Sequence, residues 1–298
     1  MLVGSEWRAE TLGFNEQVRT FMAELPGIEK LPPEQTRLAR YRGGGIFGPP
    51  TFLEQARWED WGGVRVRVLA PEHPRGTYLH LHGGGWTLGA ADLQDELLWQ
   101  LVEATGLAVA SVEYRLAPEH PFPAPVEDCV TAARHLPESG LPAPYTIGGE
   151  SAGAHLAVLT MLQVEHFAGA NLTYGAYDLS GTPSRRSYRD TLVLTDESMS
   201  WFTSNLVGSR DAEGCRAPEI SPLYADLTGM PPALFTVGTL DPLLDDSRFM
   251  AAIWPAEHEL RVYDGACHGF NVFPLEIARD ANAAQADFLS RVGTAVAA

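Results

Sequence analysis

The chain is 298 residues long and 45% hydrophobic, and its formal charge of -17 comes from 38 acidic residues against 21 basic ones, of which only Lys30 is a lysine. An acidic balance of that size repels phosphate backbones and anionic bilayers, so neither nucleic acid nor a membrane surface is an expected partner. A lone lysine in a polar, proline-rich stretch also excludes a P-loop, a Schiff-base lysine and a Ser-Lys dyad.

Taken in chain order, "MLVGSEWRAETLGF" places Glu6 and Glu10 where a secretion signal needs an unbroken apolar stretch, and no run of about 18 apolar residues follows anywhere. Cys129, Cys215 and Cys267 form no CxxC, so neither a disulfide framework nor a zinc ribbon is predicted, and a reducing, cytoplasmic location is expected. Residues 1–50 hold amphipathic stretches such as "FNEQVRTFMAEL" and end in a Pro/Gly-rich segment; we read them as an N-terminal cap segment. From Val64 the pattern changes. Strands are predicted at 64–70, 77–82, 107–114, 145–149, 172–179, 233–238 and 259–265, the first as a half-exposed antiparallel edge. Helices are predicted between them at 93–106, 125–136, 154–163 and 243–254, and a last one at 275–297. Strand and helix in alternation imply an α/β class with a mostly parallel central sheet covered on both faces. Residues of about 180–220 interrupt the alternation and read as a cap insert in a core of 51–298.

Ligands of such sheets sit at the carboxyl ends of the strands, and several reactive side chains fall there. "GGESAG" sets Ser151 between Gly149 and Gly153, after one predicted strand and before one predicted helix. That placement suits a nucleophile lifted on a tight turn, although an ordinary turn or helix cap uses the same residues. "HLHGGGW" ends another strand, and three glycines in a row let backbone N–H groups face a ligand. A phosphate cradle would want a following lysine and a less acidic chain, so an oxyanion hole from Gly84, Gly85 and the N–H of Ala152 is the better reading. His80 and His82 form an i, i+2 pair, but no third metal ligand is apparent. His268 lies in a glycine-flanked loop beyond the last predicted strand, and Asp241 follows the strand before it. Asp241 reads either as a helix cap or as the partner of a histidine, and His268 either as a surface loop residue or as a base; the order Ser151, Asp241, His268 favours nucleophile, acid and base.

With "HGGGW", "VEYRLAPEHPFPAPVEDC", "GESAG", "SPLYADLTGMPPALFTVGTLDPLLDD" and "HGF", residues 64–275 resemble the bacterial hormone-sensitive-lipase-like (family IV) esterases of the α/β-hydrolase fold. The resemblance implies hydrolysis of carboxylic esters with short to medium acyl chains under a helical cap. It implies Ser151 as nucleophile, His268 as general base, Asp241 as its orienting partner, and Gly84, Gly85 and Ala152 as oxyanion donors. It implies no metal or organic cofactor, and a small-molecule ester as the partner; a homodimer is compatible with it. Trp86, beside the oxyanion loop, and Trp201 or Phe202, from the cap insert, are expected in the substrate pocket. An amide hydrolase of arylformamidase type and a non-catalytic receptor on the same fold are the alternatives, the second disfavoured because His268 is present. The chain departs from the family at Glu150, where Asp or Thr usually precedes the serine, and no role is transferred to it. Cys267, beside His268, reads as a packing residue.

Overall fold

A computed structural model of the chain describes residues 1–294. The end of the predicted last helix, 295–297, lies outside the described residues. Among the described residues nine strands form one sheet: β1 (Leu2–Val3), β2 (Arg57–Trp61), β3 (Val64–Leu69), β4 (Thr77–Leu81), β5 (Ala108–Val112), β6 (Tyr145–Glu150), β7 (Phe167–Thr173), β8 (Ala233–Leu240) and β9 (His258–Cys267). Their spatial order is β1-β9-β8-β7-β6-β4-β5-β3-β2. Only the β2–β3 and β3–β5 pairs are antiparallel. Among the described residues there are ten helices: α1 (Arg8–Glu24), α2 (Pro33–Tyr41), α3 (Asp95–Thr105), α4 (Ala124–His135), α5 (Ala152–Met161), α6 (Pro183–Ser187), α7 (Asp196–Val207), α8 (Ala212–Cys215), α9 (Leu244–Ile253) and α10 (Glu276–Gly293). This is the expected α/β-hydrolase architecture, with helices on both faces of a mostly parallel sheet.

Strand alternation sorts side chains between the faces. Leu79 and Leu81 of β4 and Ile147 of β6 join the large cluster with Ala132 of α4 and Leu156 and Val158 of α5. Tyr78 of β4 faces the other way, into a cluster with Leu98 and Val102 of α3 and Phe288 and Leu289 of α10. α5 carries no polar stripe, and all ten of its residues are buried, because sheet and helices cover it on every side.

Two strand predictions need correction. The 64–70 strand is antiparallel as expected but is not an edge, because β2 pairs with it outside, from Arg57↔Val68 to Trp61↔Val64. Gly62 and Gly63, both with positive φ, make the two-residue hairpin loop between them. The run at 172–179 pairs only as far as Thr173: Tyr174 has φ 36 and turns the chain out of the sheet.

Residues 2–3 pair in parallel with β9, and α1 lies against that strand through the buried Asn15, whose side-chain N–H donates to the Gly265 carbonyl. The N-terminal segment and the segment of about 180–220 are tied together by Arg19, which donates to both oxygens of Asp190 at 2.8 and 2.6 Å.

A buried ion pair holds the loop after residue 50 to the core. Arg67 Nη2 lies 2.5 Å from Asp95 Oδ2, the carboxylate is fully buried, and Arg67 also donates to the carbonyls of Leu53 and Ala56.

Candidate active site

The carboxyl ends of β4, β6, β8 and β9 converge on one place. Ser151 follows β6 directly, with φ 56 and ψ -117, a left-handed backbone that a non-glycine residue adopts only at a cost. Its N–H donates to the Thr173 carbonyl at 2.9 Å, which fixes the turn against β7. The flanking glycines are required by close approach rather than by flexibility: a Cβ on Gly149 or Gly153 would run into the carbonyl oxygen of Leu81. β4, β6 and α5 therefore meet at a spacing that only glycine allows, and the serine is lifted above them.

His268 stands one residue beyond β9, and Asp241 one residue beyond β8. His268 Nδ1 is 2.9 Å from Asp241 Oδ2, and its Nε2 is 3.0 Å from Ser151 Oγ. Asp241 and His268 are 3% and 7% exposed, so the pair works in a setting where hydrogen bonds to charge are strong. Asp241 does not cap α9, whose N-cap is Leu243; its Oδ2 meets the histidine, while its Oδ1 accepts the N–H of Leu243 at 2.8 Å in the turn before the helix. That second bond fixes the carboxylate plane and leaves it an acceptor for an Nδ1–H tautomer, which frees Nε2 to take a proton from the serine.

Across the serine lies the glycine loop. Gly84 and Gly85 have φ 122 and 58, and among the described residues neither N–H meets an acceptor. The Ala152 N–H opens α5 and so lacks an acceptor within the helix. Three donors at a helix start and a left-handed loop are suited to an oxygen that gains negative charge.

The expected pocket residues separate. Trp86 is 4% exposed and its indole N–H donates to His155 Nδ1 at 3.0 Å, so its polar edge is spent on the core. That bond braces the glycine loop against α5. Phe202 of α7 comes down on Gly85, where a Cβ would overlap its ring, and Trp201 packs beside it at 5.1 Å between centroids, partly exposed.

Sequence reasoning missed two residues that support the site, His155 and Tyr174, and a separate contact behind the sheet. His155, one turn into α5, accepts from Trp86 and passes its own Nε2–H to the Ile220 carbonyl at 2.7 Å; burial pushes its pKa down to about 4, so it is neutral. Tyr174 lays its ring against His268 at 4.5 Å and donates its hydroxyl to Asn271. Burial, then the charges of Glu150 and Asp241, hold its phenol well above the usual range, so it stays a hydroxyl. Glu150 and His80 form a second, separate carboxylate–imidazole contact at 3.0 Å, behind the sheet. His80 also meets Ser111 at 2.9 Å, so both its ring nitrogens are engaged and the metal-pair reading with His82 is not realised. Cys267 is 1% exposed, and burial, followed by the charge of Asp241, drives its thiol up to about 12. It cannot supply a thiolate.

Residues 78–272 match the family model of the α/β-hydrolase fold. The chain is similar to an acetyl-hydrolase of Streptomyces hygroscopicus, 39% identical over 182 residues that make up 58% of this chain and 59% of that protein. It is 30% identical over 273 residues to the carboxylesterase NlhH of Mycobacterium tuberculosis, covering 83% of this chain and 85% of the relative. A solved esterase of the bacterial hormone-sensitive lipase family superposes with a TM-score of 0.81 at 28% identity, over 97% of this chain and 99% of that one. The chain thus spans less than two thirds of the Streptomyces relative's length and most of the other two. No helix among the described residues is long and apolar enough to cross a membrane.

Proposed function

The chain belongs to the α/β-hydrolase family, in its hormone-sensitive-lipase-like branch, and from that premise we propose that it hydrolyses carboxylic esters of short to medium acyl length through an acyl-enzyme on Ser151. The observation that carries the reading is the unbroken line from Asp241 through His268 to Ser151, at 2.9 and 3.0 Å, beside three N–H groups able to receive an oxyanion.

Ser151 Oγ attacks the ester carbonyl carbon as His268 Nε2 takes its proton, and the carbonyl oxygen becomes an anion held by Gly84, Gly85 and Ala152. The imidazolium is stabilised by Asp241. Collapse of the tetrahedral species breaks the bond to the alcohol oxygen, which leaves with the proton from His268. Water, deprotonated by the same His268, attacks the acyl carbon, passes through a second oxyanion, and releases the acid and the free serine. Phe202 over Gly85 limits the room beside the oxyanion loop, and the relative named as an acetyl-hydrolase supports a small acyl group.

A series of p-nitrophenyl esters from acetate to decanoate tests this: turnover is expected to be highest among the shorter chains. Ser151→Ala should abolish both turnover and the burst of p-nitrophenol. Negligible ester hydrolysis by pure protein, with turnover of N-formyl anilides instead, would replace the proposal by the amide-hydrolase alternative.

A further inference from the structure

Glu150 is the residue the esterase reading leaves without a part, and it does not point at the substrate. Alternation along β6 sends Ile147 toward α4 and α5, and Glu150, three residues on, to the opposite face. There its side chain lines a cavity of about 180 Å3 between α3 and α10. Gln100, Ala104 and Ala283, all exposed, also line it, so it communicates with the surface behind the sheet.

Two acceptor oxygens at the cavity's inner end have no hydrogen-bond partner among the described residues. Glu150 is 7% exposed; its Oε2 meets His80, while its Oε1 has no hydrogen-bond partner among the described residues. Asn171, 1% exposed, has its Oδ1 unpartnered and holds Tyr78 and Gln285 only through long contacts of 3.4 Å. Burial, and after it the Glu150 charge, keeps the Tyr78 phenol well above its usual range, so no second anion competes there. Leu97, Leu98, Leu101 and Ala286 make the walls apolar. Glu150 Oε1 is open to the cavity and free to accept, and a cationic N–H donor answers a carboxylate oxygen best. The apolar walls ask for a short hydrocarbon chain behind that head. The net charge of -17 raises the local concentration of cations.

We propose that this rear cavity is a binding site for a small primary alkylammonium, whose head donates to Glu150 Oε1 and whose alkyl chain lies between α3 and α10. Nothing in the hydrolytic steps uses it. Because Glu150 is joined to Ser151 by a peptide bond, a solute bound there sits directly behind the nucleophile.

Calorimetric titration of the Ser151→Ala protein with n-butylammonium chloride tests the site independently of ester turnover, and removes aminolysis of an acyl-enzyme as a confounder. Saturable one-site binding is expected, with a dissociation constant on the order of 1 mM for so small a ligand. n-Butanol, which lacks the charge, and tetramethylammonium, which lacks the N–H, should each bind at least about tenfold more weakly. Glu150→Gln, an isosteric change, should weaken n-butylammonium by a similar factor, and Ala283→Trp, on the exposed flank of α10, should block it. The proposal is overturned by an absence of saturable binding, by equal affinity for n-butanol, or by unchanged affinity in both folded variants.

Discussion

Gly85→Ala probes the oxyanion loop with a single methyl group. Gly85 sits at φ 58, and the added Cβ would overlap the Phe202 ring. Two costs follow, and they can be separated. The left-handed backbone itself costs an alanine about 1 kcal/mol, which is roughly fivefold in rate if all of it falls on the transition state. The overlap is larger, because Phe202 is 6% exposed in a packed cluster and cannot swing away freely. The loop must then move, which misplaces a donor whose loss is worth about 3–4 kcal/mol, or a hundredfold to a thousandfold in kcat. Gly85→Ala should therefore lower kcat by about that factor with KM little changed, since the donor acts on the charged transition state. Adding Phe202→Ala removes the overlap but not the backbone strain, so the double variant should return to within about fivefold of Phe202→Ala alone. Steady-state kinetics on p-nitrophenyl acetate in the four-member cycle measure both quantities. If Gly85→Ala keeps kcat within threefold of wild type, or if the double variant is no faster than the single one, the placement of Phe202 against the oxyanion loop is wrong.

Asp241→Asn keeps an oxygen for the Leu243 N–H but loses the charge opposite His268, and kcat should fall about 10⁴-fold at similar KM, a loss under tenfold counting against the assignment. Asp95→Ala strands the buried Arg67 guanidinium and the Leu53 N–H together, so denaturant titration should show a loss of about 3–5 kcal/mol, partly recovered in Asp95→Ala/Arg67→Met; a loss below about 1 kcal/mol refutes the clamp. His155 is held neutral with its pKa lowered from 6.5 to about 4. The unfolded chain takes up that proton first, so its stabilisation is complete above pH 6.5 and is lost as pH falls toward 4, by an amount on the order of 3 kcal/mol. Asp246, pushed up to about 7 by burial, tilts the curve oppositely, losing stability as pH rises from about 4 to 7. The measurement is therefore the difference between wild type and His155→Gln: that difference should shrink with acidification across this window, and parallel curves would contradict a neutral His155.

What could be read from the sequence followed from periodicity and from chemistry that depends on local order. β4, β5, β6 and β8 announce themselves as apolar, β-branched runs because both their faces are covered. Ser151, Asp241 and His268 were legible because each stands at a strand's carboxyl end, where the topology gathers side chains far apart in sequence. β2 carries a signal in "RWEDWGGVRVRV" that the strand reading from Val64 leaves out: a Gly-Gly pair between two alternating runs is a hairpin. β1 has two residues and no periodicity to read. Tyr174 ends β7 early through a left-handed backbone that its side chain does not advertise.

The sharper limit lies in the residues that hold the site. His155 and Trp86 are 69 positions apart, and nothing in either local sequence says that an indole on the glycine loop will find an imidazole on α5. Glu150 is the instructive case. In the linear sequence it is the variable position of G-x-S-x-G, next to the nucleophile. In three dimensions the strand's two-residue period puts it through the sheet, against a histidine from β4 and a cavity beneath α3 and α10. A motif specifies the backbone turn that presents the serine; which way its neighbour's side chain leaves the strand, and what it meets there, is set by sheet pairing and by helices contributed from elsewhere in the chain. The question of why glutamate stands there thus belongs to the rear face of the molecule, and substitutions of Glu150 should be judged by what binds behind the sheet as well as by what happens at Ser151.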